Sequence, residues 1–201
     1  MPPHPPSSIK TLLHSLFIKE NAYGQLTTVN QKHQPSIRTV HFQMPASMGF
    51  IWINTHTDSE KWSDIKHLPH VAGCYWAKGH RVQIRFKAHA ILIGPRADCT
   101  PQQQAILSRM WGSMRPEVRL AYLMADQGIP LHQGSDPQPP IDTNLHSPCH
   151  GLLECAPYRW DVFYESPKAY RLGRRDIYEL KDDQTWTKKT LSSLHEQPVV
   201  L

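Results

Sequence analysis

The sequence lacks the features that would mark a membrane, secreted or metal-binding protein. No apolar run approaches the roughly 18 residues that a membrane span needs. Residues 1–6 have no basic and then apolar character, so we predict no signal peptide and a cytoplasmic location. Its four cysteines show no CxxC spacing and are too few for a disulfide framework in a chain of 201 residues. Cys149, His150 and Cys155 are irregularly spaced, so we predict no metal site.

Motifs of common enzyme classes are also missing. With 10 glycines, the chain has neither the Walker nor the Rossmann pattern, and HExxH and GxSxG do not occur. The 13 histidines allow many Ser-His-Asp or Cys-His combinations, but none has a local signature. A recognisable nucleophilic or metalloprotease site is therefore not indicated.

The excess of positive charge points to an anionic partner. The formal net charge is +5 and the pI is near 9.1. The basic residues are scattered and form no block, and no nucleic-acid-binding module is legible. We therefore predict no nucleic-acid partner, and a small phosphorylated ligand would account for individual arginines equally well.

Short segments rich in β-branched and aromatic residues dominate the chain and predict strands. With mostly short connections they favour a mainly β, antiparallel barrel or sandwich with flanking helices, in one domain over residues 1–201. A long loop without apolar periodicity is predicted over 125–148. Strands are predicted over 25–29, 37–42, 50–53, 71–76, 82–93, 160–164, 170–172, 177–180 and 186–190. Helices are predicted over about 9–17, with Ser7 or Ser8 as the N-cap, and over 60–68, 102–110 and 116–124.

A tract of hydroxyl-bearing residues follows the third predicted strand. Thr55 and Ser59 lie in it, and Lys61 lies in the first turn of the next helix. Backbone N–H groups and the helix dipole favour an anion there, and a hydroxyl and an ammonium add direct bonds. Arg38 begins an earlier strand and could join them. The alternative is an ordinary helix cap at Ser59, with Lys61 and Arg38 as solvated charges.

The predicted strand that starts near Val82 has an unusual outward face. Alternation places Val82 and Ile84 on one face and Arg81, Gln83 and Arg85 on the other. A solvated exterior explains this pattern. A ligand whose ring edge needs both donors and acceptors also explains it, because a carboxamide supplies both.

Taken in order, these pieces resemble a known family. The sequence is similar to the FMN-binding split barrel of the pyridoxamine 5′-phosphate oxidases, and closest to the oxidase-like branch found in cyanobacteria and plants. The resemblance covers residues 8–125 and two segments near the carboxyl terminus. It rests on Arg38-Thr39-Val40, Thr55, Ser59-x-Lys61, Trp76, Arg81-x-Gln83-Ile84-Arg85, Trp160 and Arg171-Leu172-Gly173-Arg174-Arg175.

The resemblance implies an antiparallel split β-barrel that forms a homodimer, with FMN at the subunit interface. Arg38, Ser59 and Lys61 would hold the flavin phosphate, and Gln83 would reach the ring edge or the ribityl chain. Arg175 would be the carboxyl-terminal arginine beside the flavin. The remaining positions implied to contact the cofactor are Thr39, Val40, Thr55, and, in a segment supplied by the partner subunit, Ser113 and Arg119.

The chain departs from the oxidases where they bind substrate. Gln43 stands where they carry a lysine, and Gly173 stands where they carry a histidine. Arg115 keeps an Arg-Pro pair that addresses substrate phosphate, and with Arg171 it would orient a small anionic substrate. The resemblance thus implies an FMN-dependent oxidoreductase with an altered substrate site. The alternatives are a non-catalytic flavin carrier or sensor, and, less favoured for want of a basic tract, a nucleic-acid-binding barrel.

Overall fold

The computed structural model describes residues 3–19, 22–44, 49–95, 97, 99–123, 142, 145–168 and 173–192. The strands in this part of the chain are β1 (Ala22–Val29), β2 (Pro35–Phe42), β3 (Ile51–His56), β4 (His70–Ala77), β5 (Val82–Ile93), β6 (His150–Tyr164), β7 (Arg174–Leu180) and β8 (Trp186–Ser192). The helices are α1 (Ser7–His14), which continues as a π-helical turn (Ser15–Lys19), α2 (Glu60–His67), α3 (Pro101–Ser113) and α4 (Pro116–Leu123), with a 3-10 turn at Lys78–His80.

Antiparallel pairing joins all the described strands into one sheet in the order β2-β1-β4-β5-β6-β7-β8. Strand β3 pairs with the first part of β6, from Ile51 opposite Cys155 to His56 opposite His150. Strand β7 pairs with the second part of β6 along the same edge. The sheet therefore divides at β6, and the predicted antiparallel split barrel is confirmed.

The barrel closes between the end of β2 and the start of β3. Gln43 and Trp52 form an isolated antiparallel bridge, in which each amide donates to the other residue's carbonyl, at 2.9 and 2.6 Å. This bridge returns the order β2-β1-β4-β5-β6-β3 to β2. Gln43 is therefore held at the closing seam of the barrel.

Helix α1 and the turn after it fill one part of the core. Ile9, Leu13, Leu16 and Phe17 are at most 3% exposed, and the spacing of these four residues places them on one helical face. They pack with inward residues of the strands, such as Phe42 and Phe86. A second, smaller cluster under α3 contains Trp52, Ile93, Leu107, Met110 and Leu152.

Strand β6 differs most from the prediction. The sequence pattern predicts a strand only over 160–164, but β6 starts at His150. Gly151 and Pro157 break the β-propensity of its first half, whereas β3 and β5 pair with that half from both sides. Pairing of that kind overrides local propensity. The register shifts beside Pro157, between Lys87 and Ala88 of β5.

The other predicted elements are recovered with changes of a few residues at their ends. Helix α1 begins at Ser7 and the residue before it is Pro6, so the prediction that Ser7 or Ser8 caps this helix is wrong. The predicted strand over 170–172 and most of the predicted loop over 125–148 lie outside the described residues. No helix among the described residues is long and apolar enough to cross a membrane.

Candidate functional site

Arg38 is held by a short chain of hydrogen bonds at one end of the barrel. Its Nη1 donates to the Oγ1 of Thr28 at 2.7 Å and to the carbonyl of Leu26 at 3.4 Å. The Thr28 hydroxyl in turn donates to Oδ2 of Asp64 at 2.6 Å. The Arg38 and Asp64 side chains are 20% and 5% exposed and lie 3.8 Å apart. Burial lowers the pKa of Arg38, an effect that Asp64 and Glu60 partly offset.

Lys61 brings a second cation to the same end of the barrel. Burial lowers the pKa of its ammonium group, the positive charge of Arg38 lowers it further, and Glu60 partly offsets both. Within the part of the chain that the structure describes, Lys61 makes no ion pair within 4.0 Å. The two cations are thus close enough to repel each other in a half-buried place, which is an arrangement that an anion stabilises.

Two hydroxyl groups lie where α2 begins. The Oγ of Ser59 is 3.2 Å from the Oγ1 of Thr55 and donates to the carbonyl of His56 at 2.7 Å. Ser59 is the residue before α2, but its side chain makes no capping bond to the helix. The Ser59 hydroxyl therefore does not cap α2, which was the alternative interpretation of this residue. The structure brings Arg38 and Lys61 together and Thr55 and Ser59 together around the start of α2.

Thr39 and Val40 follow Arg38 along β2 and differ from each other. Thr39 is exposed, whereas the Val40 side chain is 8% exposed and belongs to the barrel core. Val40 lies opposite Gly24 in the ladder between β1 and β2. Contact of Val40 with a bound cofactor is therefore limited to its backbone. The predicted cofactor contacts of both residues stay predictions.

Gln83 and Arg175 lie on the outer face of the sheet, away from Arg38. Gln83 is half-buried and alternates with the inward residues Val82 and Ile84. Phe163 lies between Gln83 and Arg175 across the three neighbouring strands. Arg38 is on β2, three strands away from β5. Because it alternates with outward residues of β2, its side chain lies on the inner face of the sheet. Within one chain, Arg38 and the pair Gln83 and Arg175, which are predicted to bind the same cofactor, therefore lie on different faces of the sheet.

A groove of about 410 Å³ crosses that outer face from β2 to β7. Its polar side contains Arg85, Lys87, Arg159, Asp161 and Arg175. Its apolar side includes Ile37, Ala72, Cys74 and Phe86. Ile37 is 68% exposed, and two further residues of the outward parity, Tyr23 and Trp76, are 62% and 43% exposed. An apolar face of this kind with a charged groove is typical of a surface that a protein partner covers.

The residues implied for the partner-supplied segment are placed around the end of α3. Ser113 donates its hydroxyl hydrogen to the carbonyl of Met110 at 2.8 Å. Arg119 donates to the carbonyls of Trp111 and Gly112 at 3.0 and 2.7 Å, and its guanidinium lies over the Trp111 ring. These bonds satisfy carbonyls at the carboxyl end of α3. Arg115 is exposed between α3 and α4, and Arg171 lies outside the described residues.

The two departures from the oxidases have structural partners. Gln43 accepts a hydrogen bond from Asn54 at 3.3 Å, and its Nε2 is 3.2 Å from Nδ1 of His41. Gly173 has no space for a side chain. A Cβ there would lie 2.5 Å from Cε2 of Phe163 and 2.7 Å from the carbonyl oxygen of Tyr164. The absence of the histidine at 173 is thus matched by close packing, and a histidine would not fit without movement of the backbone.

His56, Asp58 and Cys149 form a cluster whose ligand atoms lie within 4.8 Å of one another. The Nδ1 of His56 accepts a hydrogen bond from the amide of Asp58 at 3.2 Å. Its lone pair is therefore engaged, and Nε2 is buried without a hydrogen-bond partner among the described residues. The cluster does not by itself define a metal site.

Sequence reasoning missed several residues that organise these places. Thr28 and Asp64 fix Arg38, Asp161 pairs with Arg85 and Arg175, and His150 joins a set of hydrogen bonds beneath α3. Alternation in β1 could have placed Thr28 on the buried face with Leu26. Nothing in the local sequence marks the others, because their partners are distant in the chain.

The antiparallel split barrel is the fold of pyridoxamine 5′-phosphate oxidase-like proteins. Residues 7–94 match the family model described as "Pyridoxamine 5'-phosphate oxidase, FMN-binding domain". This match agrees with the family to which the sequence resemblance assigns the chain.

Solved structures agree with this assignment. A pyridoxamine 5′-phosphate oxidase-related, FMN binding protein from Nostoc punctiforme PCC 73102 superposes with a TM-score of 0.78 and 26% identity, over 96% of this chain and 100% of that chain. PhzG from Burkholderia lata 383, in complex with tetrahydrophenazine-1-carboxylic acid, gives 0.70 and 16%, over 95% and 93%. General Stress Protein 26 from Bacillus anthracis str. Sterne gives 0.52 and 16%, over 77% and 92%. The last two show the fold alone. No curated protein matches the sequence.

Proposed function

We propose that this protein is an FMN-binding flavoprotein and an oxidoreductase related to pyridoxamine 5′-phosphate oxidase, with an altered substrate site. The observation that carries the proposal is the pair of half-buried cations, Arg38 and Lys61, beside the start of α2. The Nostoc punctiforme protein, which is described as FMN binding, supports the choice of cofactor.

The residues at this place fit a phosphate group. Arg38 is only partly neutralised, because Asp64 lies 3.8 Å from its Nη2 and is shared with Thr28. Lys61 has no carboxylate within 4.0 Å among the described residues. A dianionic phosphate would relieve the repulsion between the two cations and accept bonds from the first amides of α2. Ser59 and Thr55 could also donate to it once their hydroxyls turn away from the His56 carbonyl and from each other. The side chains present therefore match the cofactor's phosphate in charge and in donors.

The second half of the proposed site requires two copies of the chain. Gln83 and Arg175 lie on the outer face of the sheet, whereas Arg38 lies three strands away on the inward parity. If two chains pack through the apolar outer face that carries Ile37, each can present its outer residues to the cofactor of the other. A homodimer with FMN at the subunit interface is therefore part of the proposal.

Bound FMN supplies the hydride-transfer chemistry, and the chain supplies binding and orientation. Arg115 is exposed beside α4 and, with Arg171, is proposed to orient a small anionic substrate. Gln43 and Gly173 remove a cation and a hydrogen-bonding ring from the substrate side, at roughly 1.5–3 kcal/mol for each charge-assisted bond. Pyridoxamine 5′-phosphate should therefore bind poorly.

A flavin carrier or sensor without catalysis is the second candidate, and the packing around Gly173 favours it. Phe163 and Tyr164 occupy the space that a substrate-binding side chain would need. To separate the two functions, the bound flavin is reduced with amine, nicotinamide or quinone partners and its reoxidation is followed by absorbance. Turnover with one of these partners supports the enzyme, and no turnover with any of them supports the carrier.

Cofactor binding itself is tested with Lys61→Ala. Purified wild-type protein should be yellow or take up added FMN, and the flavin should be released on denaturation. Lys61→Ala should weaken FMN binding about ten-fold or more, because a charge-assisted bond to phosphate is lost. Lys66→Ala, at an exposed residue on the same helix, is the control and should bind FMN as the wild type does. A colourless protein that does not take up FMN would refute the proposal.

The dimer is tested with Ile37→Glu, which places a charge on the exposed apolar face. Sedimentation of the wild type should give the mass of two chains, and the variant should shift towards the mass of one. Lys32→Glu, in the turn between β1 and β2, changes charge away from this face and should sediment as the wild type does. A monomeric wild-type protein that still binds FMN would contradict the shared site.

A further inference from the structure

A continuous set of hydrogen bonds joins five side chains beneath α3 and along the barrel seam. The Nε2 of His146 lies 3.0 Å from Nδ1 of His150, and Nε2 of His150 lies 3.0 Å from Oδ1 of Asn54. The Nδ2 of Asn54 donates to Oε1 of Gln43 at 3.3 Å, and Nε2 of Gln43 lies 3.2 Å from Nδ1 of His41. We refer to these five residues as the histidine–amide chain.

All the bonds in the histidine–amide chain run in one direction. Oδ1 of Asn54 can only accept, so Nε2 of His150 carries a hydrogen. Nε2 of Gln43 can only donate, so Nδ1 of His41 accepts. A neutral His150 then has its lone pair on Nδ1, where it accepts from Nε2–H of His146. The two amides therefore fix the tautomers of the histidines on either side.

The middle of the chain is protected from water. His150 is fully buried, and burial, followed by the nearby charge of His146, lowers its pKa to about 3. The rings of Trp111 and Tyr122 pack against it, with centroids 5.2 and 5.1 Å from its own. Trp111 also stacks on the exposed His146 at 5.1 Å. A neutral, enclosed imidazole is suited to holding a fixed hydrogen-bond direction.

His41 is the end of the chain that lies on β2, on the outer face of the sheet, where the second half of the proposed cofactor site also lies. It lies three residues from Arg38 on β2, is half-buried, and stacks on Tyr23 at 4.8 Å. Within the described residues its Nε2 has no hydrogen-bond partner. Burial lowers the pKa of its imidazole. Its side chain lies on the outer face of the sheet, as does that of Ile37, which lines the outer groove.

We propose that His146, His150 and Asn54 are positioning residues that, through Gln43, hold His41 as the Nε2–H tautomer, so that His41 donates a hydrogen bond to an oxygen of the bound flavin. The second part of this proposal rests on the proposed function. The first part concerns the protein alone.

Reversal of the chain would require every link to change. A hydrogen on Nδ1 of His41 would face the Nε2 hydrogens of Gln43, and the Gln43 amide would have to turn. The turned amide would then face Nδ2 of Asn54, which would have to turn as well, and His150 would have to change to the Nδ1–H tautomer. A chain reversed at only some of its links would leave opposed donors or opposed acceptors in this enclosed place, which is costly. The observed direction is therefore self-consistent from one end to the other.

The tautomers are measured on the cofactor-free protein by long-range ¹H–¹⁵N correlation spectra of the histidine rings. Wild-type His41 should show the Nε2–H form. Gln43→Glu should reverse the direction of the hydrogen bond to His41, because a carboxylate only accepts hydrogen bonds. His41 should then carry a hydrogen on Nδ1, and its pKa should rise. Asn54→Leu, which cuts the chain at similar volume, should leave His41 as a mixture of tautomers.

Gln25→Glu is the matched control for the added charge. Gln25 lies opposite Thr39, on the strand that also carries Tyr23, and it has no bond to His41. This variant should leave the His41 tautomer unchanged. If wild-type His41 carries its hydrogen on Nδ1, or if Gln43→Glu leaves the tautomer as in the wild type, the positioning role is refuted.

The contact with flavin is measured separately by titration with FMN alone. FMN should shift the His41 Nε2–H resonance, and His41→Phe should weaken FMN binding about five- to ten-fold, the effect of one hydrogen bond. FMN that binds without either effect would overturn the flavin contact. A protein that binds no FMN fails the proposed function and the contact with it. The apo spectra then still decide whether the chain fixes His41.

Discussion

The carboxylate of Asp161 accepts two hydrogen bonds from the guanidinium of Arg175, from Nε at 2.8 Å and from Nη2 at 2.6 Å. Nη2 of Arg85 donates to the same carboxylate at 2.9 Å. Burial raises the pKa of Asp161, but the bonds and charges of the two arginines outweigh it, so the pKa lies below its usual range. Asp161 therefore links β5, β6 and β7 on the face that holds the outer groove.

Asp161→Asn should destabilise the protein by about 1–3 kcal/mol, because it leaves two guanidinium groups without their carboxylate. The larger loss of stability that follows the removal of one partner from a fully buried ion pair is not expected here, because the Arg85 and Arg175 side chains are 42% and 29% exposed. Urea unfolding at neutral pH measures the change. Asp182→Asn, at an exposed residue of the turn between β7 and β8, is the control. Equal unfolding free energies for the two variants would show that the pairing adds no stability.

Gly173→Ala should destabilise the fold by about 1–3 kcal/mol. The added Cβ would lie 2.7 Å from the carbonyl oxygen of Tyr164, and backbone cannot move aside as a flexible side chain does. Gly79→Ala is the control, because a Cβ at Gly79 meets no atom within 4 Å. Thermal unfolding of both variants measures the difference. If Gly173→Ala unfolds as Gly79→Ala does, the packing explanation for the missing histidine is wrong.

Thr28→Val should destabilise the protein by about 1–2 kcal/mol and loosen Arg38. The substitution keeps the shape of a side chain that is 1% exposed, but it removes the acceptor for Arg38 and the donor to Asp64. Thr27→Val, at the preceding residue of the same strand, removes a hydroxyl without a hydrogen-bond partner in the described part of the chain. Denaturant unfolding compares the pair. A smaller loss of unfolding free energy for Thr28→Val than for Thr27→Val would contradict the interpretation that Thr28 anchors Arg38.

Local sequence patterns were sufficient to predict the barrel and part of the candidate site. Alternation predicts the outward set around Gln83 and the buried set around Ile84, and both are observed from Val82 onwards. Arg81, predicted as part of the outward set, instead lies before β5 in a left-handed turn conformation. The order of a strand, hydroxyl-bearing residues and a helix start places Ser59 and Lys61 beside each other. These features depend on residues near one another in the chain, which is why periodicity and capping rules reveal them.

Features made by distant residues could not be predicted in this way. Asp64 reaches Thr28 across 36 residues, Asn54 reaches His150 across 96, and Arg85 reaches Asp161 across 76. The first half of β6 is a strand because β3 and β5 pair with both of its edges, and its own composition gives no such signal. Register decides which of these residues meet, and no local pattern specifies register between distant strands.

His150 should make the stability of the protein depend on pH in the mildly acidic range. Its folded pKa of about 3 lies below the ordinary value of 6.5, because the ring is buried and close to His146. As pH falls below 6.5, the unfolded chain binds a proton that the folded chain does not take up until about pH 3. The stabilisation is therefore complete above pH 6.5 and is lost progressively between these two values, at roughly 1.4 kcal/mol for each pH unit.

Urea unfolding at several pH values between 7 and 4 measures this slope. His150→Gln should lower stability at pH 7, because a buried partner of Asn54 and His146 is changed, but it should flatten the slope below pH 6.5. His67→Gln, at an exposed residue of α2, removes one histidine from the surface and should leave the slope as in the wild type. Because burial also lowers the pKa of His41 and of His146, some slope should remain in His150→Gln. A slope that His150→Gln leaves unchanged would mean that the buried ring is not the group that resists protonation.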